Sequence, residues 1–448
     1  PRPFLTPLCL PPGDLALDAY PSLLTHHTPL RLTLSILSIL IVTLSSSSCD
    51  DVQPTDGEDA PCLVGTCGTT DPADTSGSTD ATNPPDTSGS TDTDDTSDND
   101  DTPDTTDTED VPDLTPDVFE NCGYGDIVGR VCSPNGSDWL FGVDVSVETT
   151  NCAGQTVVIQ ALTDNNGFYR LTNVPNGQHT LSITTGSFST QIRNVPVNIN
   201  ETTDLTGQTT KTCLDRRSAR IAVLTGVFDS YESVLESLGV TYSLFEGDSA
   251  SPSSTRNGQN LLLDPDSLQD YDILIINSGE WYRLFRDPTR AADLTRMTNN
   301  IIYFVEEGGS LYVSDWAYYW IERTYPDRVD FFGDDSVEGP ACIGSQSSDL
   351  AVSVDSDLFQ SLLGQPNTSI SFSWPAWAAM AEAHPGKTTV HLSAPLAPLD
   401  NGQTLPDAPM VISFQPTPTS GTVFFSSFNA NANDELMDRV LRFLIFQL

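Results

Sequence analysis

Two carboxylates in this 448-residue chain stand beside aromatic side chains: Glu280 next to Trp281, and Asp315 next to Trp316, Tyr318, Tyr319 and Trp320. Paired carboxylates about 5–10 Å apart across a cleft can hydrolyse a glycosidic bond, one as acid and one as base or nucleophile. Aromatic faces beside carboxylates also suit simple binding of a sugar or a peptide. Both groups follow apolar runs, and open α/β sheets gather ligands outside the carboxyl ends of their strands. The competing expectation is that these aromatics pack the helix that begins at Asp315.

Other chemistry is thinner. A nucleophile needs a base within hydrogen-bond reach, and the histidines offer no pair. His384 precedes Pro385 and Gly386 in a turn, and His391 lies in a strand where packing is the expected role. Cys342 sits in a loop, where a disulfide or burial is expected before catalysis. Zinc would want clustered His and Cys. Asp264, Asp266, Asp270 and Asp272 lack the glycine and glutamate of the helix-loop-helix calcium motif, so a solvated acidic loop is expected. Neither a metal nor a cofactor is expected.

The elements that position these residues are legible as apolar runs at 219–225, 240–245, 271–277 and 310–314. Helical patterns intervene at 230–238 and 291–307. Strands without polar alternation need cover on both faces, which implies a parallel sheet with crossover helices. Beyond residue 330 the pattern loosens. Strands are expected at 350–354, 370–374, 388–392, 409–414 and 421–427, a short helix at 377–382, and an amphipathic helix at 434–446.

Composition bounds the rest. A net charge of −43 disfavours nucleic acid and anionic membrane surfaces as partners. The charge is concentrated: residues 50–118 carry 21 acidic side chains and no basic one. That stretch of Asp, Thr, Ser, Pro and Gly can bury almost nothing and reads as a disordered acidic tether. Ahead of it, Arg31 precedes an apolar run at 32–44 whose length fits a signal-peptide core and is short for a bilayer span. Ser45-Ser-Ser-Ser-Cys49 follows. This resembles a bacterial lipoprotein signal, in which Cys49 would be lipidated; it departs from the usual pattern at Ser46, where a leucine is commonest. Ordinary secretion with cleavage near Ser48 is the alternative. Residues 1–48 therefore read as a signal region with an over-extended start, and 49–118 as the tether.

Residues 119–214 change character. Short strand-like runs alternate with turns such as Pro134-Asn-Gly136, Asp164-Asn-Asn-Gly167 and Pro175-Asn-Gly177, the pattern of a small β-sandwich. Gly167 is expected to supply a positive φ. The arrangement Val128-Gly-Arg-Val131, Leu140-Phe-Gly-Val-Asp-Val145, Thr163-Asp-Asn-Asn-Gly-Phe-Tyr-Arg-Leu171 and Val174-Pro-Asn-Gly-Gln-His-Thr-Leu181 resembles the carboxypeptidase regulatory-like domain. The resemblance implies a transthyretin-like fold and an accessory, non-catalytic role; some relatives have carbohydrate-binding-like folds. Trp139, Phe168 and Tyr169 are the candidate sugar-platform aromatics, although alternation must send Phe168 or Tyr169 into the core. The cysteines suit an oxidising compartment. Cys132 and Cys152 flank one hairpin and are expected to pair, with Cys122 and Cys213 stapling the domain ends. Cys62 and Cys67 could close a small loop. Cys342 is left over, or competes with Cys122 for Cys213.

Residues 216–448 resemble the class I glutamine amidotransferase-like fold, including its trehalose-utilisation-like branch. The matching stretches are Ile221-Ala-Val-Leu224, Tyr271-Asp-Ile-Leu-Ile-Ile-Asn-Ser-Gly279, Phe304-Val-Glu-Glu-Gly-Gly-Ser-Leu-Tyr-Val313 and Ser420-Gly-Thr-Val-Phe-Phe-Ser-Ser-Phe-Asn429. The resemblance implies a catalytic cysteine at the sharp turn Ser314-Asp315-Trp316. No cysteine is there, and Asn429 stands where a histidine is expected.

The expected architecture is a small β-sandwich followed by an α/β domain with a mostly parallel sheet flanked by helices, carried on the acidic linker. The expected function is an exported, lipid-anchored binding or scaffolding protein of the bacterial cell envelope, meeting a glycan or peptide there. A hydrolase acting through Glu280 or Asp315 and a purely structural protein are the rivals. Mass spectrometry of the mature protein is expected to find an N-terminus at Cys49 carrying diacylglyceryl mass. A mature chain that begins elsewhere without that mass sinks the lipidated reading.

Overall fold

The structure, a computed structural model, describes residues 121–248, 254–332, 350–370, 372, 377–396, 404–428, 430 and 435–448. The readings for Cys49, Cys62, Cys67, the acidic tether, Cys342 and Asn429 lie outside the described residues. No helix among those described is long and apolar enough to cross a membrane.

A β-sandwich comes first. Its strands are β1 (Tyr124–Cys132), β2 (Asp144–Thr150), β3 (Thr156–Leu162), β4 (Phe168–Pro175), β5 (Gly177–Thr185), β6 (Phe188–Val197), β7 (Thr202–Leu205) and β8 (Thr212–Cys213). One sheet runs β4-β1-β7, with β8 also on β1; the other runs β3-β2-β5-β6. Alternation along β1, β2 and β5 sends Ile127, Val145, Val147, Leu181 and Ile183 into the space between the sheets. Gly167 has φ +74°, as the turn requires, and a Cβ there would lie 2.5 Å from the Val131 carbonyl oxygen.

The second domain contains, in order, β9 (Ile221–Leu224), α1 (Tyr231–Leu238), β10 (Ser243–Phe245), α2 (Gly258–Leu263), β11 (Ile273–Ile276), α3 (Ala291–Glu306), β12 (Ser310–Ser314) and α4 (Tyr319–Thr324). Then follow β13 (Val329–Phe331), β14 (Leu350–Val354), α5 (Asp357–Leu363), β15 (Asn367–Ile370), β16 (Met380–Ala383), β17 (Thr389–Leu396), β18 (Leu405–Phe414), β19 (Val423–Ser426) and α6 (Glu435–Ile445). The sheet order is β10-β9-β11-β12-β19-β18-β17-β14-β15. From β10 to β19 neighbours are parallel. Beyond β19 the remaining pairs are antiparallel, so the expected parallel core carries an antiparallel wing.

Every residue of β9, β11 and β12 is buried. The pleat divides them: Ala222, Leu224, Leu274 and Ile276 face a layer that includes α3 and α4. Ile221, Val223, Ile273 and Ile275 face α1, α6 and, in one continuous apolar core, the interior of the β-sandwich. The seam between the domains is tight. The Phe188 and Phe446 rings lie 5.1 Å apart, Thr185 Oγ1 donates to the Phe446 carbonyl at 2.6 Å, and the Asn135 amide donates to the Leu238 carbonyl at 2.9 Å. Gly186 permits the closest approach, since a Cβ there would collide with the Leu448 carbonyl oxygen.

Two expectations are corrected. Residues 377–382 are not helical. Met380–Ala383 form β16, antiparallel to β13, and Trp377, Ala378 and Ala379 are buried on the approach to it. The alanines raise helix propensity there, but tertiary pairing overrides so short a run. The disulfides are Cys122–Cys152 and Cys132–Cys213, not Cys132–Cys152 and Cys122–Cys213. Cys132 ends β1, which lies in the opposite sheet from β2 and β3, so it does not share a hairpin with Cys152. Its register partner is Cys213 on β8, with a Cα separation of 4.3 Å. Non-reducing peptide mapping of the protein folded under oxidising conditions is expected to recover these two linkages. Replacing either pair with serine should cost roughly 3–5 kcal/mol, as loops of these lengths imply, read as a drop in denaturation midpoint.

Candidate functional site

The strand-end residues collect where β9, β11, β12 and β19 finish side by side. The chain leaves β12 in a sharp turn whose Asp315 has φ +42°. A non-glycine residue in that region is strained, and strain of this kind is held in place by its surroundings. Here Asp315 Oδ1 accepts the Ala378 amide at 2.9 Å and Oδ2 accepts the Ser278 hydroxyl at 3.3 Å. Asp315 is 3 % exposed.

One residue earlier, Ser314 Oγ donates to Asp229 Oδ2 at 2.5 Å and accepts the Ser278 amide at 3.0 Å. Asp229 Oδ1 accepts the amides of Ser230 and Ala430, each at 2.8 Å. Burial pushes the Asp229 carboxyl up to about 6; its hydrogen bonds pull the other way and the nearby Glu232 adds to the rise. Asn277 Nδ2 bonds Glu232 Oε2 at 2.9 Å. A hydroxyl held by a carboxylate at the end of a central strand has the makings of a nucleophile and its base. Yet Ser314 and Ser278 are both 0 % exposed, and the pair ties the strand ends together.

The two sequence-derived carboxylates are each engaged within the protein. Glu280 forms an ion pair with Arg283 at 2.7 Å, whereas Asp315 turns to Ser278 and Ala378; the two carboxylates have different partners. The expected aromatic rim is a core. Trp281 and Tyr318 are fully buried, and Trp316 and Tyr319 nearly so. Trp281 Nε1 donates to the Asn277 carbonyl at 2.8 Å and its ring meets Trp320 edge-on at 5.5 Å. Tyr319 stacks on Phe285 at 5.2 Å. The reason is the dry face beneath α4, which the run of aromatics at Trp316, Tyr318, Tyr319 and Trp320 fills. Sequence reasoning placed Ser314 at the sharp turn without a base partner and missed Asp229 and Ser278. The available signal was the position of Asp229 just beyond β9, the place where strand-end ligands are sought.

His391 packs as expected: its ring stacks on Phe359 at 4.5 Å, and its nitrogens bond Ser356 Oγ and Ser413 Oγ at 2.8 and 2.7 Å. Burial pushes its pKa down to about 4. Asp264 caps the turn at Pro265–Leu268 through Ser267, and Asp272 forms an ion pair with Arg220 at 2.7 Å. Among the described residues no three His, Cys, Asp or Glu side chains stand close enough to hold a metal. On the sandwich, Tyr169 is the core residue of its pair, while Phe168 is 41 % exposed. The Arg130 guanidinium lies over both the Trp139 ring, at 3.3 Å, and the Phe168 ring, at 4.4 Å.

Residues 126–210 match the family of the carboxypeptidase regulatory-like domain. No curated protein matches the chain. Among solved structures, a cohesin–X-dockerin complex of Acetivibrio cellulolyticus is similar at 20 % identity over 20 % of this chain, with a TM-score of 0.15; the match spans 56 % of that chain. A putative GMP synthase protein of Thermoplasma acidophilum is similar at 13 % identity, covering 51 % of this chain and 94 % of that one, with a TM-score of 0.32. A putative ThuA-like protein of Bacteroides uniformis is similar at 13 % identity, covering 50 % and 87 %, with a TM-score of 0.31.

Asp229 gives a signed prediction. Its carboxyl is raised above the ordinary 3.8 in the folded protein, so folding binds its proton more tightly. Stability is gained as pH falls from about 6 toward 3.8, and the full penalty, on the order of 3 kcal/mol, stands above pH 6. Asp229→Asn keeps the shape, can still accept the two amides and can donate to Ser314. It is expected to be at least as stable as the parent at pH 7.5 and to lose the stability difference between pH 6 and pH 4. Denaturant melts across that range, with Asp229→Ala as the destabilised control, check this.

Proposed function

We propose that this chain is a non-catalytic binding or scaffolding protein, exported and lipid-anchored at the bacterial cell envelope, where it meets a glycan or peptide. The observation that supports the reading is Asp315. The turn where a nucleophile would stand carries a carboxylate whose two oxygens accept an amide and a hydroxyl, and it is sealed under buried aromatics. Groups arranged this way hold the loop that carries Ala378 to the strand ends; they do not await a substrate. Export and tethering are supported by the signal-like run at 32–44, Cys49 and the acidic stretch behind it.

A hydrolase acting through acidic residues is the second reading, and the positive φ of Asp315 is what favours it. A screen of the protein against glycans and peptidoglycan fragments, scored for binding and for turnover, separates the two. Binding without turnover is expected. Asp315→Asn is expected to fold and bind like the parent, while Asp315→Ala should lose about 1–3 kcal/mol by leaving buried donors unpaired. Reproducible turnover that Asp315→Asn or Glu280→Gln abolishes would overturn the non-catalytic reading; neither binding nor turnover would leave a structural role.

A further inference from the structure

The seam between the sandwich and the α/β domain is closed along the Phe188–Phe446 contact but opens beside it into a cavity of about 440 Å³. That size is within the range that holds one small ligand, and domain seams are where such pockets collect. Its apolar wall is Phe141 from the sandwich with Phe443 and Phe446 from α6 and the residue after it; the Phe141 and Phe443 rings lie 5.9 Å apart. Its polar wall is already ordered. Arg442 bonds Asp438 at 2.7 Å on its own helix and reaches across the seam to Asp138 at 3.6 Å.

The lining selects its ligand. Two aspartates and two arginines, Arg439 and Arg442, balance in charge, and the chain as a whole, at −43, repels anions. A ligand with a net charge finds no uncompensated partner. An extended peptide would need a long groove, and this space is walled by two sandwich loops and the helices α1, α5 and α6. What fits is a compact molecule with an apolar face for the phenylalanines. Its other edge must both donate and accept, to meet carboxylate and guanidinium together. We propose that the seam cavity binds an uncharged saccharide of one or two rings, its ring face on the half-buried Phe141 and its hydroxyls on Asp138, Asp438 and Arg442. This rests on the binding reading above and gives it a place away from the sealed strand ends.

The test uses the mature chain, titrated calorimetrically and by tryptophan fluorescence with cellobiose and N,N′-diacetylchitobiose. An uncharged blocked dileucine and octyl sulfonate are the competing probes. At least one disaccharide is expected to bind and to shift the emission, with the shift lost in Trp139→Phe; Trp281, Trp316, Trp320 and Trp377 are buried elsewhere. Asp438→Asn is expected to weaken binding at least tenfold, and Asn165→Trp, which fills the mouth from an exposed turn, to abolish it. Unchanged melting temperatures show that both variants fold. Disaccharide binding indifferent to both variants would overturn the site and leave the binding reading standing. Preference for the peptide or the sulfonate would overturn the ligand class. No binding by any of the four probes would overturn the proposal, while the envelope-fragment screen decides the broader reading by itself.

Discussion

The parallel core of the sheet has no polar face, and that constraint organises everything around it. β9 and β11 are buried at every position, so water must be kept from both sides. Helix α3 has the length and apolar stripe to cover one side. The other side is left to α1 and α6, and their outer surfaces are themselves apolar where Phe443 and Phe446 emerge. The β-sandwich completes that cover. At roughly 1.5–3 kcal/mol for each large side chain taken fully from water, the Phe188, Phe446 and Phe443 contacts make the seam a part of the core, where an accessory bead on a flexible joint would have shown polar surfaces facing each other.

The same dryness determines what the strand ends can do. A carboxylate moved into such a place loses its hydration, and hydrogen bonds recover only part of it. Asp229 receives two amides and a hydroxyl and its pKa still rises to about 6. Asp315 keeps a strained backbone because Ala378 and Ser278 fix its carboxylate from two directions. These acids are cross-braces between the ends of β9, β11 and β12 and the loop bearing Ala378. The tryptophans and tyrosines around α4 pack closely beside these acids.

The parts legible in the sequence were those whose pattern has one physical meaning. The continuous apolar runs of β9, β11 and β12 must be doubly covered strands, and the turns around Gly167 must join short antiparallel ones. The errors arose where one pattern has two meanings. Trp281, Trp316, Tyr318 and Tyr319 serve a sugar platform or a core equally well, and only the direction of their strands and helices decides. Cys132 and Cys152 read as the flanks of one hairpin and Cys122 and Cys213 as the ends of the domain, whereas the bridge partner of Cys132 is set by β8 lying beside β1, 81 residues away in sequence. Asp229 was passed over because a single aspartate after a strand looks like any loop residue until β12 brings Ser314 against it.

A sheet covered so completely displaces recognition to its borders. The places where this molecule presents ordered polar groups next to apolar surface are where one covering layer meets another, since a layer's interior is dry and its outer surface is solvated. The seam satisfies this condition: Arg442 is held between carboxylates of two domains while Phe141 beside it stays partly exposed. The shared core fixes the distance between the two domains, and so fixes the spacing of the seam's polar groups before any ligand arrives. Affinity gained from such a site comes from groups already in position, because little conformational freedom remains to be lost on binding. The rigidity that seals the strand ends is thus what would make the seam a usable site.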